Sequence, residues 1–322
     1  IWGRRPAAVS GWDAMIKERK GCYLLTLGCP KNEVDSDCLA SALERAGWRM
    51  TDSPRDAAVM ILNTCSFIVP AVEESLESVM ELSELREGGA RPLVVTGCLV
   101  SRYGGEVLAA LLPEVDLFVG FDDYPHFAGV INALLDEGGE ATGGALARER
   151  ASTLDRGYVY LKISEGCSHR CAYCLIPKIR GPFHSRPWDE LAKELDVMAA
   201  LELQEVVLIS QDTAAYGKDL CDGLSLSGLL RKIDENYSFP WIRVMYLNPQ
   251  GLKDETWSAL GEGRVLPYFD IPFQHASPKV LKGMNRGGDA EEHLRLLERI
   301  RKVKPDAVFR TTLITGFPGE EE

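Results

Sequence analysis

Between residues 21 and 135, short apolar runs alternate with amphipathic stretches, as expected of a parallel sheet whose strands are joined by helices. CYLLTLGC (22–29), AAVMILNTC (57–65) and RPLVVTGC (91–98) read as strands, and EVDSDCLASALERAG (33–47) has helical spacing. A second series then begins. YVYLKIS (158–164), EVVLIS (205–210), WIRVMYL (241–247), LPYFDIP (266–272) and VFRTTLIT (308–315) read as five strands. Helical patterns such as PWDELAKELDVMAALEL (187–203) and DAEEHLRLLERIRKV (289–303) lie between them, and this order predicts a barrel-like parallel sheet rather than a sandwich. The Gly-rich segment DEGGEATGGALARERAST separates the two series. The expected organisation is therefore an α/β domain over 21–136, a linker over 137–152 and a second α/β domain over 153–322. Because the last strand runs into GFPGEEE, at least one further strand is expected beyond it, which makes this barrel incomplete at its C-terminal end.

At 322 residues, 45% hydrophobic and 26% charged, the chain can bury a full core in each half. No stretch approaches the roughly 20 apolar residues of a membrane helix, and IWGRRPAAVSGWDAMIKERK lacks the apolar region of a signal peptide. It also lacks an initiator Met and reads as a processed, tagged or trimmed start. The expectation is a cytoplasmic protein without a membrane partner. A net charge of −12 argues against an unaided grip on a phosphate backbone and suits a basic protein partner better.

Nine cysteines, an odd number in a chain without a signal segment, point to metal or redox chemistry rather than disulfides. Cys29, Cys65 and Cys98 each follow the carboxyl end of an expected strand, on the edge of an open parallel sheet where ligands bind. They read either as ordinary buried thiols or as three ligands brought together by the fold. Cys22 at the start of a strand, Cys38 in a helical pattern and Cys221 in the polar loop GKDLCDG read as structural. Cys167, Cys171 and Cys174 crowd into SEGCSHRCAYC, directly after the first strand of the second series. Structural zinc sites and iron–sulfur clusters both normally take four protein ligands. Three thiols thus imply either a distant fourth partner or a metal position left open for a small molecule.

CSHRCAYC, with its C-x-x-x-C-x-x-C spacing and an aromatic before the last Cys, resembles the cluster loop of the radical S-adenosylmethionine (radical SAM) superfamily. Cys29, Cys65 and Cys98, in LGCPKN, LNTC and TGC, are similar in order and context to the second-cluster cysteines of the methylthiotransferases within it. GCPKNEVDSD, ISQDTAAYG and YFDIPFQHAS resemble the type that modifies an aspartate of the small-subunit ribosomal protein twelve. The sister type, acting on adenosine in transfer RNA, usually has Gln-Met in place of Pro30 and Lys31. Asp37 stands where Glu is commoner, so the carboxylate is kept. The resemblance implies a last barrel strand and a small C-terminal β-barrel domain associated with substrate recognition, both expected to lie outside this sequence.

The resemblance implies an open parallel α/β sheet domain followed by a partial (β/α)6 radical SAM barrel, C-terminally truncated. It implies two 4Fe-4S clusters, one on Cys167, Cys171 and Cys174 and one on Cys29, Cys65 and Cys98, with SAM as the further cofactor. The open iron of the first binds SAM and reduces it to a 5′-deoxyadenosyl radical that takes hydrogen from the aspartate β-carbon; the second supplies the sulfur. An electron donor such as flavodoxin or ferredoxin and a sulfur donor complete the partners. Tyr173 is expected either to pack on SAM or the cluster or to fill space, Gln211 and Gln274 to reach SAM, and Gly316 and Gly319 to admit its adenosyl part.

Weaker signals read blandly. His169 and His275 could each serve as a metal ligand or an acid but read first as loop residues or as groups behind the ligands, the terminal EEE as solvated, and the cations of CLIPKIRG as steering, charge-balancing or simply exposed. Two alternatives remain from sequence: the same chemistry on transfer RNA, and a noncatalytic metal-binding protein of ribosome assembly.

Overall fold

The computed structural model describes residues 21–86, 91–135, 157–201 and 203–321. The chain divides into two compact units, Ile1–Ala151 and Ser152–Glu322. The expected linker over 137–152 lies outside the described residues.

In the first unit, strands β1 (Gly21–Thr26), β2 (Arg49–Met50), β3 (Val59–Thr64), β4 (Leu93–Gly97) and β5 (Leu117–Val119) form one sheet in the order β2-β1-β3-β4-β5. Every pairing is parallel, with Leu24 opposite Ile61 and Ile61 opposite Val94. Strand β3 is buried along its whole length because helices cover both faces of the sheet, so its residues feed two cores alternately. Val59 and Ile61 pack with Leu39, Leu43, Phe127 and Ile131 on one side, while Met60 and Leu62 pack with Val79, Leu82 and Leu99 on the other. The first helix runs over Pro30–Arg45, beginning three residues earlier than its hydrophobic spacing predicts, because Pro30 takes the first helical position directly after Cys29.

In the second unit, β6 (Tyr158–Lys162), β9 (Glu205–Ile209) and β10 (Trp241–Val244) pair in parallel, as do β11 (Tyr268–Asp270) and β12 (Val308–Arg310). Hydrogen bonds from Leu266 N to the Ile242 carbonyl (2.8 Å) and from Leu247 N to the Asp270 carbonyl (2.8 Å) link β10 to β11. Strands β6, β9, β10, β11 and β12 thus follow one another as a parallel array, with the short antiparallel pair β7 (Ser164–Glu165) and β8 (His184–Ser185) at the end of β6. Val159 and Leu161 on β6 face the helical layer, where helix Trp188–Ala199 contributes Leu191, Leu195 and Met198 at helical spacing. All five strands of this array are shorter than their apolar runs, the last three most of all. Tyr246, in left-handed backbone at φ 64°, follows the end of β10, and β11 and β12 keep only three residues each. Among the described residues, no helix is long and apolar enough to cross a membrane.

Candidate functional site: two cysteine triads

Cys65 and Cys98 directly follow β3 and β4, and Cys29 lies three residues past the end of β1, so the three sit at the carboxyl ends of adjacent strands of the first sheet. Asn32, fully buried one turn into the first helix, ties the three segments together. Its amide nitrogen donates to the carbonyls of Leu27 and Thr64 (2.8 Å each), and its side-chain oxygen lies 3.6 Å from the Cys98 thiol. Ser75 fixes Cys65 by accepting from its backbone N–H (3.2 Å) and donating to its carbonyl (2.8 Å). Arg102 holds the carbonyl of the next residue, Ser66, whose buried hydroxyl has no hydrogen-bond partner.

The second triad lies on the loop after β6 and β7. Cys167 N–H donates to the Gly181 carbonyl (3.1 Å), and Cys174 N–H closes a turn on Cys171 (3.0 Å). Burial pushes the Cys167 and Cys174 thiols above the ordinary range, and the mutual proximity of the loop's thiols adds to the shift. These side chains therefore resist becoming thiolates until a cation neutralises them. Buried polar atoms without partners also occur at the site-facing ends of this unit's strands: Ser164 Oγ, Gln211 Oε1 and Asp212 Oδ1.

Among the described residues, no three His, Cys, Asp or Glu side chains stand close enough to hold a single metal ion. A lone zinc needs donors within about 2.0–2.3 Å of one centre, whereas an iron–sulfur cluster presents separate irons to separate thiolates. Both triads are all-thiol donor sets, and such a set fits an iron–sulfur cluster.

The other expected site residues occupy varied positions. Tyr173 packs on Val280, Leu281 and Met284, and its hydroxyl is raised well above the usual range by burial, with the nearby Cys171 thiol adding to the shift. Gln211 donates to Glu165 (2.7 Å). Gln274 is held in left-handed backbone at φ 75°, bridged to Thr312 (2.9 Å) and Ile314 (2.7 Å). Gly316 and Gly319 both have positive φ with open space where a β-carbon would lie, but the Gly316 N–H is engaged by Glu320 (2.6 Å).

Glu320 therefore departs from the reading of the terminal acids as merely solvated: it also accepts from Phe317 N and meets His275 at 3.1 Å, while Glu321 pairs with Lys279. His169 points away from a ligand role, its Nε2 lying between Asp212 Oδ2 (2.7 Å) and Asn248 Nδ2 (3.0 Å).

Spacing alone did not reveal Asn32, Ser75 or a charged network at Glu165. Lys162 Nζ (2.5 Å), Arg180 Nη1 (3.5 Å) and Gln211 converge on that carboxylate. Burial would raise its pKa, but Lys162 and Arg180 override burial and hold it down at about 2. Arg180 of CLIPKIRG is thus an internal charge partner, whereas Lys178 is exposed.

Residues 161–322 match the radical SAM superfamily, and residues 21–120 match the Uncharacterized protein family UPF0004. The ribosomal protein uS12 methylthiotransferase RimO of Syntrophus aciditrophicus is 41% identical over 310 residues, which span 92% of this chain and 68% of that protein. The chain belongs to the RimO family of radical SAM methylthiotransferases. Another member, RimO of Syntrophomonas wolfei, is 42% identical over 307 residues, covering 92% of this chain and 70% of the relative. The radical SAM methyltransferase TsrM from Kitasatospora setae superposes with a TM-score of 0.68 at 15% identity, over 94% of this chain and 68% of that structure, a likeness of fold. Membership of the RimO family makes the chain an enzyme that uses SAM and a 4Fe-4S cluster.

Proposed function

We propose that the chain attaches a methylthio group to the β-carbon of an aspartate in ribosomal protein uS12, using one cluster on Cys167, Cys171 and Cys174 and a second on Cys29, Cys65 and Cys98. The observation that carries the second cluster is the gathering of three strand-end cysteines around Asn32, with a partnerless buried hydroxyl at Ser66. The substrate follows the relatives' name, and a chain of charge −12 suits a basic ribosomal protein.

An aspartate β-carbon is too weak an acid for any side-chain base working near pH 7. When bound, the barrel cluster and SAM supply a radical able to take that hydrogen, and the second cluster supplies sulfur. The chain's own part is placement. Gly166, at φ 71°, lets the loop's backbone pass against the Pro182 carbonyl, where a β-carbon would collide. Glu165 anchors the segment before Cys167, and Gln211, Gln274, Gly316 and Gly319 are the proposed SAM contacts. The domain limits are proposed as 21–136 and 153–322.

The test is triple alanine replacement, triad by triad, in the full-length enzyme. Loss of Cys167, Cys171 and Cys174 should remove about half the iron and all SAM cleavage. Loss of Cys29, Cys65 and Cys98 should leave SAM cleavage but stop methylthiolation, read by mass spectrometry of uS12. Loss of all iron from either variant, or modification of transfer RNA in preference to uS12, would overturn the assignment.

A further inference from the structure

The turn after helix Pro278–Gly283 carries three consecutive residues, and each touches one of three consecutive residues of the cysteine loop. The Met284 carbonyl accepts from Ala172 N–H (2.9 Å), Asn285 Nδ2 donates to the Arg170 carbonyl (2.7 Å), and Arg286 Nη1 donates to Cys171 Sγ (3.8 Å). The turn is itself well fixed. Met284 is fully buried, Arg286 N–H donates to the Leu281 carbonyl (2.8 Å), and the second guanidinium nitrogen of Arg286 donates to the Pro272 carbonyl (2.9 Å). Asn285 adopts left-handed backbone at φ 55°, a conformation Asn tolerates and most residues avoid. That conformation lets its amide and the next side chain both meet the loop.

We propose that Arg286 is a positioning residue that sets the reduction potential of the cluster held by Cys167, Cys171 and Cys174, with Met284 and Asn285 clamping the loop on which it acts. The inference rests on the assignment of that cluster to those thiols. A cluster gains negative charge on reduction, so a fixed cation donating an N–H to a ligand sulfur stabilises the reduced form more than the oxidised one. Hydrogen bonds to cluster sulfurs and nearby charge are among the groups by which a protein tunes such a centre. Anchored at Pro272 by one nitrogen, the guanidinium has little freedom to leave the sulfur, and Arg stays charged at every working pH. Its effect is to ease entry of the electron that SAM cleavage requires.

The experiment is an anaerobic redox titration of the reconstituted chain followed by electron paramagnetic resonance. It is run alongside iron analysis, both with all cysteines present and with Cys29, Cys65 and Cys98 replaced by Ala so that the barrel cluster is read alone. Arg286→Met should keep its iron and shift the midpoint negative, by an approximately tenfold fall in the reduced-to-oxidised ratio at fixed potential, or about 59 mV for one electron. Arg286→Lys, which keeps the charge, should recover most of the shift. Unchanged potential at unchanged iron content overturns the proposal. If the Met variant loses its iron, Arg286→Gln takes its place under the same criterion, and loss of iron from both neutral variants makes the residue structural and overturns the proposal too. Absence of barrel-cluster iron from the otherwise wild-type chain would instead strike the cluster assignment itself, an outcome distinct from an unshifted potential.

Discussion

Gly28 faces Cys65 so closely that a β-carbon on it would lie 2.6 Å from the Cys65 β-carbon and 2.8 Å from the sulfur. Its φ of 93° is also one that side chains rarely adopt. Gly28→Ala should therefore cost roughly 1–3 kcal/mol through backbone strain alone, and more through displacement of Cys65. The expected outcome is a lower denaturation midpoint together with selective loss of the first unit's iron, while SAM cleavage persists. Full iron content in this variant would show that Cys65 does not need its present position.

Glu165→Gln tests the charged network before the cysteine loop. Removing the carboxylate from between Lys162 and Arg180 should destabilise the chain at pH 7 by roughly 2–3 kcal/mol, somewhat below the cost for a fully buried pair because Glu165 keeps some solvent contact. The sign of the pH effect follows from the depressed pKa. The contribution is complete above the ordinary carboxylate value of 4.5 and is lost as pH falls towards about 2. Urea unfolding of both proteins at pH 7 and pH 3 should show the gap between them narrowing at the lower pH.

Cys22 and Cys221 should differ sharply towards alkylating reagents. Burial pushes the Cys22 thiol up to about 12, so it stays protonated and closed to solvent, whereas Cys221 is exposed. Mass spectrometry after brief native labelling should find Cys221 modified and Cys22 intact, with Cys22 reacting only on unfolding. Because the folded pKa is raised, the stability that neutral Cys22 contributes is complete below the ordinary value of 9.0 and fades as pH climbs towards 12.

Binding of the full-length enzyme to uS12 should weaken as salt rises, since attraction between opposite charged surfaces is screened beyond a Debye length of about 10 Å at 0.1 M. The same charge of −12 should keep transfer RNA weakly bound at every salt concentration. A salt series of binding isotherms for both ligands decides between them.

The α/β class and the longer parallel strands were legible because each rests on a short apolar run, whereas β2, β5 and the β7–β8 pair, two or three residues each, left no such run. Asn32, Glu165 and Arg286 were not legible either, because their roles come from partners far away in sequence, at Thr64, Gln211 and Cys171. Weak cues existed. CPKN places an amide one turn into a helix, and MNRGG sets Asn before Arg and two glycines, a composition suited to a left-handed turn. The strands β11 and β12 were drawn too long since an apolar run records burial, which extends past the last ladder hydrogen bond.

The three cysteines of the first unit hang from the ends of three neighbouring strands, with Thr26 opposite Asn63 and Thr64 opposite Gly97. Side chains alternate between faces along a strand, so a slip of one residue in either pairing would turn a thiol to the wrong side of the sheet. Binding of the proposed second cluster would therefore depend on register: a chain whose central strands had zipped out of step would offer only two well-aimed thiols.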